Sequence, residues 1–197
     1  MACARRTCVY AFFIGMFVCS HSNAVCGKDG KTLNSENNAL ANTGHSEQFQ
    51  WYEHRKLSWD DFRGPVNATT NESAAATHCG LGFRTTSSVP GSKPEIIVYN
   101  TFYASKSWVR PDAKMSSILD HEQGHFDLCE IYTRKLRKRL SNFDFNVPDA
   151  KQVLMNIYSG VSNEYEKRQQ DYEQQTNHGT NTEQQKRWQE IIVRELN

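Results

Sequence analysis

Two histidines four residues apart, with a glutamate directly after the first, form the segment with the clearest chemistry: H-E-Q-G-H from His121 to His125. On a helix, residues four apart lie on the same face, so both imidazoles can point at one zinc ion. Glu122 can take a proton from a zinc-bound water and pass it to a leaving amine. The spacing predicts one Zn²⁺ per chain and a hydrolase with Glu122 as general base. The alternative is two histidines that merely pack on an amphipathic helix.

The residues around this motif predict a helix. Apolar residues recur at helical spacing from Ile118 to Leu140. Basic residues gather between Arg134 and Arg139, where cations suit the carboxyl end of the helix dipole. Ser116 or Ser117 is the predicted N-cap, which places the motif about one turn after the helix begins.

A catalytic zinc site needs a third protein ligand, and here it should come from another segment. Glu130 would lie roughly 180° around the helix from His121. His178 is the predicted ligand because it precedes a glycine in a turn between two predicted helices, although an exposed turn histidine is the commoner outcome. Asp171 and Glu173, on the helix before that turn, remain alternatives. Tyr172 beside them could donate to a developing oxyanion or pack in the core.

The order of predicted elements indicates an α+β domain, with antiparallel strands first and a helical half after them. Residues 81–88 and 95–104 are the clearest strands, and the prolines and glycine between them predict a hairpin. A second helix is predicted from about 149 to 175. A last helix is predicted from Asn181 or Thr182, with Thr182 and Gln185 at capping-box spacing.

The N-terminus predicts export. Arg5 and Arg6 precede an apolar run of about a dozen residues, too short to span a membrane, and Ser22-Asn23-Ala24 fits a small-x-small cleavage site. We therefore expect a signal peptide over 1–24, a flexible lead-in over 25–48 and one domain over 49–197, in a secreted or periplasmic protein. An uncleaved N-terminal anchor is the alternative. A lipoprotein fits less well, because the residues before the available cysteines do not match such a site.

The net charge limits which partners the chain can bind, and the cysteine content limits its disulfide and metal chemistry. Removal of Arg5 and Arg6 with the signal would change the formal charge from +1 to −1, which gives no support for nucleic-acid binding.

Three cysteines would remain in the chain after signal removal: Cys26, Cys79 and Cys129. Export makes a Cys79–Cys129 disulfide possible, with Cys26 left over. A structural zinc site built on these cysteines is the less favoured alternative, because their spacing has no zinc-finger character.

Five segments together resemble the predicted secreted zinc-dependent proteases of bacteria, a domain family of unknown function grouped with the zincin-type peptidases. They are Leu57 to Gly64, Ala74 to Gly80, Lys106 to Trp108, Leu119 to Leu128, and Tyr172 to Gly179 with Trp188 beyond. The resemblance covers roughly residues 49–196. It implies a zincin-like fold and hydrolysis, and it favours His178 because Thr-x-His-Gly is one of the shared pieces.

The sequence thus predicts a secreted or periplasmic zinc metallopeptidase acting on a peptide or protein, with no membrane span left after signal removal. His121, His125 and His178 are the predicted metal ligands, and Glu122 is the predicted catalytic residue. Two alternatives stay open. One is an exported, non-catalytic binding protein that a zinc ion stabilises on a zincin fold, and the other is a metal-dependent hydrolase of cell-wall amides.

Overall fold

Five short strands precede three helices in the part of the chain that the computed structural model describes, residues 47–52, 55–66, 73–86 and 94–197. The strands are β1 (Gln48–Phe49), β2 (Ala75–Ala76), β3 (Cys79–Thr86), β4 (Glu95–Tyr103) and β5 (Trp108–Val109). The helices are α1 (Ser116–Leu140), α2 (Ala150–Thr176) and α3 (Thr182–Leu196). The predicted signal peptide, Cys26 and nearly all of the predicted lead-in lie outside the described residues.

The strands form a three-stranded antiparallel sheet in the order β1-β4-β3, beside a small antiparallel pair of β2 with β5. Strands β3 and β4 are consecutive and pair in register from Cys79 with Phe102 to Thr86 with Glu95, which confirms the predicted hairpin. Strand β3 begins two residues earlier than predicted, because Cys79 and Gly80 also pair with β4. The α+β class is confirmed.

Helix α1 is the centre of the molecule. Every residue from His121 to Thr133 is buried, since β3 and β4 pack on one side of the helix and α2 and α3 on another. The apolar periodicity predicted one buried face, and that holds only towards the ends of α1. In the middle, polar residues are enclosed as well, so each of them needs a partner inside the protein.

The helix starts correct two predictions. Helix α1 begins at Ser116 with Met115 as its N-cap and no side-chain cap bond, so a serine N-cap was wrong. Helix α3 is capped by the Asn181 side chain, which accepts a hydrogen bond from the Gln184 amide at 3.1 Å. The predicted capping box is therefore wrong, and the Gln185 side chain is buried instead.

Cys79 and Cys129 are free thiols in this structure, so the expected disulfide is absent from it. Within the described residues, none of the helices is long and apolar enough to cross a membrane.

Candidate metal centre

Three buried side chains bring ligand atoms together at the junction of α1 and α2: His121, His125 and Glu173. One atom from each lies within 4.8 Å of the other two. The Oε1 atom of Glu173 is 2.8 Å from Nε2 of His125 and 3.4 Å from Nε2 of His121. The two imidazoles are one turn apart on α1, as the motif predicted, and the carboxylate comes from the facing helix.

The close approach of the two helices depends on Gly124. A side chain at this position would overlap the hydroxyl of Tyr172, which is fully buried. That hydroxyl donates to the backbone carbonyl of His121 at 3.0 Å, and the Tyr172 ring stacks on the His121 imidazole with centroids 4.8 Å apart. Tyr172 is therefore a core residue that holds His121, and the oxyanion role considered for it is not supported.

Two glutamines orient the imidazoles. Gln169 donates from Nε2 to the His125 backbone carbonyl at 3.0 Å, which turns its Oε1 towards Nδ1 of His125 at 2.6 Å. Gln185 donates to the Tyr172 hydroxyl at 2.8 Å and places its Oε1 3.0 Å from Nδ1 of His121. Both Nδ1 atoms must then carry the proton, so both Nε2 atoms present lone pairs to the centre.

The centre therefore collects acceptors without donors. The two Nε2 atoms are 3.2 Å apart and share Oε1 of Glu173 as a neighbour. Burial lowers the pKa of His121 to about 4 and that of His125 to about 3. Burial also raises the pKa of Glu173 to about 8, so without a metal this carboxyl holds a proton at neutral pH. A cation bound between the three atoms, or the proton on Glu173, is needed to offset the repulsion between their lone pairs.

Glu122 directly follows His121 on α1, and its carboxyl does not belong to the group of three. Its side chain is buried, and Oε2 has no hydrogen-bond partner among the described residues. Burial raises the pKa of Glu122 to about 7, and hydrogen bonds from the side chain and backbone of Thr77 partly offset this rise. A carboxyl with a pKa near neutrality and a free oxygen can both accept and return a proton.

His178 lies outside this group of three, and its Nδ1 contacts the outer oxygen of Glu173, Oε2. Its side chain is 30% exposed, against 6% for Glu173. Asn177, His178 and Gly179 all have positive φ, and a Cβ on Gly179 would lie 2.8 Å from Cγ of His121. The turn thus packs His178 against the Glu173 carboxylate and Gly179 against the His121 ring. His178 as a metal ligand stays a prediction.

The structure also places the two remaining candidates, Asp171, which the sequence left open, and Glu130, which the helix geometry had excluded. Asp171 is outside the group. Glu130 faces away and binds Asn100 and Arg134, the latter at 2.9 Å. Sequence reasoning missed the supporting residues Thr77, Gln169 and Gln185. One signal was available: Gln169 and Glu173 are four apart on a helix, the same spacing as the two histidines they face.

The chain belongs to the family described as "Bacterial protein of unknown function (DUF922)", which it matches over residues 25–179. This confirms the part of the resemblance that concerns a bacterial family of unknown function. The match includes the three grouped side chains, Glu122 and His178, and it ends before Gln185. No curated protein and no solved structure matches the chain.

Proposed function

We propose that this chain is an exported zinc metallopeptidase with a zincin-like fold, in which His121, His125 and Glu173 hold the metal and Glu122 is the catalytic residue. The observation that carries the proposal is the meeting of two lone-pair-bearing imidazole nitrogens and one carboxylate oxygen beside a buried glutamate with a free oxygen.

The donor set fits zinc. Two histidines and one glutamate are a known catalytic set for this ion, whereas magnesium and calcium prefer oxygen ligands only. Contact with His178 occupies Oε2 of Glu173, so one oxygen faces the centre. Three ligands leave a position open, which is what separates catalytic zinc sites from structural ones. When bound there, zinc would supply Lewis acidity, lowering the pKa of water and polarising a carbonyl oxygen.

The protein's own groups divide the remaining work. Gln169 and Gln185 fix the tautomers of the histidines, and His178 orients Glu173. Glu122 would accept a proton from water at Oε2 and return it to the amine that leaves when the peptide bond breaks. Thr77 keeps the Glu122 carboxyl in place through its hydroxyl and its amide.

Zinc content and hydrolysis, measured on the same preparations, test the proposal. Elemental analysis of the purified chain should give about one zinc per chain, and a peptide library should show cleavage. Glu122→Gln should keep its zinc and lose about 10²–10⁴-fold in hydrolysis rate. A folded wild-type chain that takes up no zinc, or a Glu122→Gln variant with full activity, would refute the mechanism.

Burial favours a second candidate, a non-catalytic exported protein whose zinc only stabilises the fold. His121, Glu122, His125 and Glu173 are each at most 5% exposed, so a peptide reaches them only if the packing around the site opens. Chelation separates the two functions. A structural ion should unfold the chain when it is removed, whereas a catalytic ion should cost a smaller loss of melting temperature, with hydrolysis abolished.

A further inference from the structure

Two thiols, one on α1 and one on β3, lie beside the helical turn that follows the second histidine of the motif. Cys129 is on α1, four residues after His125, and is fully buried. Cys79 begins β3 and is partly exposed, and after burial its thiol is the main cause that raises the pKa of Cys129. Its Sγ is 3.7 Å from the backbone carbonyl oxygen of His125, to which the Cys129 amide points in a regular helix. The two thiols therefore meet across the interface of strand and helix.

A circuit of hydrogen bonds joins this pair to the His125 ring. The Cys79 thiol donates to the His125 carbonyl, and the Tyr165 hydroxyl lies 3.4 Å from Cys79 Sγ. Tyr165 accepts from Nε2 of Gln169 at 2.9 Å, so its own proton is free to go to the sulfur. Gln169 closes the circuit, because its Oε1 accepts from Nδ1 of His125 at 2.6 Å. The side chain that sets the His125 tautomer is thus one contact away from Tyr165 and two from the thiol.

We propose that Cys79 and Cys129 form a thiol–disulfide site, and that its oxidation loosens the support of His125 and weakens zinc binding. The reactant is a disulfide, either of a small thiol compound or of a protein oxidoreductase. The structure is the reduced form of this site. The coupling to zinc rests on the proposed function, whereas the disulfide itself does not.

The chemistry is thiol–disulfide exchange and is balanced without another reactant. The Cys79 thiolate, on the accessible side, attacks the external disulfide, forms a mixed disulfide and releases one thiol. The Cys129 thiolate then attacks the Cys79 sulfur and releases the second thiol. The chain loses two hydrogens and the external disulfide gains them. Burial raises the pKa of Cys129, so the second step should be the slow one.

Oxidation changes the circuit in two ways. A sulfur–sulfur bond of about 2.05 Å draws Cys79 Sγ towards Cys129. The thiol proton that bonded the His125 carbonyl is gone, and the Tyr165 hydroxyl is left with a weaker acceptor further away. Gln169 donates to both the His125 carbonyl and the Tyr165 hydroxyl, so a displacement of these two groups shifts its amide and lengthens the hydrogen bond from Nδ1 of His125 to its Oε1. Loss of an outer partner of a metal ligand typically costs about 10–100-fold in affinity.

The experiment uses the full chain equilibrated with reduced or oxidised glutathione. Peptide mass mapping should show a Cys79–Cys129 crosslink in the oxidised sample. Competition with a chromophoric chelator should then give a zinc affinity about tenfold lower than that of the reduced sample. Cys79→Ser should bind zinc equally under both conditions. Tyr165→Phe keeps both thiols and removes the hydroxyl, so it should form the crosslink while its zinc affinity changes little on oxidation.

Two results would overturn the proposal: no crosslink under oxidising glutathione, or a crosslink that leaves zinc affinity unchanged. If the wild-type chain binds no zinc, the proposed function is refuted but the thiol–disulfide site is not. The coupling between the two thiols and His125 is then measured on the His125 ring without metal. Nitrogen chemical shifts of the His125 imidazole should differ between the reduced and crosslinked chains, and identical shifts would overturn the coupling.

Discussion

The hydroxyl of Tyr172 occupies the space in which a side chain at Gly124 would begin. The absence of a side chain at Gly124 therefore sets how closely α2 approaches α1. The same hydroxyl bonds the backbone of His121 and the amide of Gln185. One small residue inside the H-E-x-x-H motif therefore controls both the packing of α1 against α2 and the position of His121.

Gly124→Ala should destabilise the protein by about 1–3 kcal/mol, because the added methyl group forces Tyr172 and α2 outward. Zinc affinity should fall as well, since His121 loses its ring neighbour. Gly160→Ala is the matched control on a helix, because a methyl group there meets only Arg139 at 3.9 Å. It should stabilise the chain by about 0.5–1 kcal/mol. Denaturant unfolding of the metal-free proteins gives the free energy of unfolding of both variants. Equal changes in the two variants would contradict the role of Gly124.

The third ligand can be identified by zinc content after dialysis against a weak chelator. Glu173→Gln should lose more affinity than the roughly 10–100-fold that removal of an outer partner costs. His178→Ala should lose an amount within that range, because it only releases Oε2 of Glu173. Asp171→Ala should bind like the wild type. If His178→Ala loses all zinc while Glu173→Gln keeps it, the ligand set is instead the three histidines predicted from sequence.

Zinc binding should release about one proton per ion at neutral pH. In the metal-free protein the pKa of Glu173 is raised to about 8, so this carboxyl is protonated below that pH and must lose its proton to bind the metal. The histidines contribute none, because their pKa values are lowered to about 4 and about 3. Affinity should therefore rise about tenfold per pH unit between about pH 5 and 8 and level off above.

Calorimetry in buffers of different ionisation enthalpy gives the proton count directly. Glu173→Gln serves as the control, because it removes the carboxyl whose proton the metal must displace. A wild-type proton count near zero at pH 7 would show that Glu173 does not bind the metal in its ionised form.

Gln185→Ala should weaken zinc binding about 10–100-fold with little change in overall fold, because the amide only fixes the His121 tautomer and bonds Tyr172. Gln189→Ala, one turn later on α3 and only partly buried, is the matched control and should bind zinc normally. Circular dichroism checks the fold, and chelator competition gives the affinity. Equal affinities for the two variants would remove Gln185 from the site.

Sequence reasoning recovered what local spacing encodes. The placement of His121 and His125 on one helix face, the β3–β4 hairpin and the α+β class all depend on short-range periodicity. The same periodicity could not choose between Glu173 and His178, because five residues and a turn with positive φ separate them. Their positions depend on how α2 packs on α1, which Gly124 permits, and nothing in the pattern of apolar residues indicates that contact.

Gln185 is a residue for which a local sequence pattern predicted the wrong role. Three residues after Thr182 it fits a helix-start pattern, and that local interpretation hid its role. Its partner, Nδ1 of His121, is 64 residues away in sequence. A polar residue at a helix start can cap its own helix or bond a group elsewhere in the protein, and only the tertiary contact decides between the two.

On the proposed function, the position of Gln185 on the last helix also makes metal retention depend on the order in which the chain is synthesised. A nascent chain that has emerged only as far as Gly179 already carries every proposed ligand and Glu122, yet it lacks Gln185, whose Oε1 lies 3.0 Å from Nδ1 of His121 and sets the tautomer of that ring. Firm retention of the ion must wait until α3 has folded over the site. On the proposed function, stable zinc binding would then be a late maturation step, and C-terminal truncation before Gln185 would yield a protein with all its proposed ligands and poor retention of the metal.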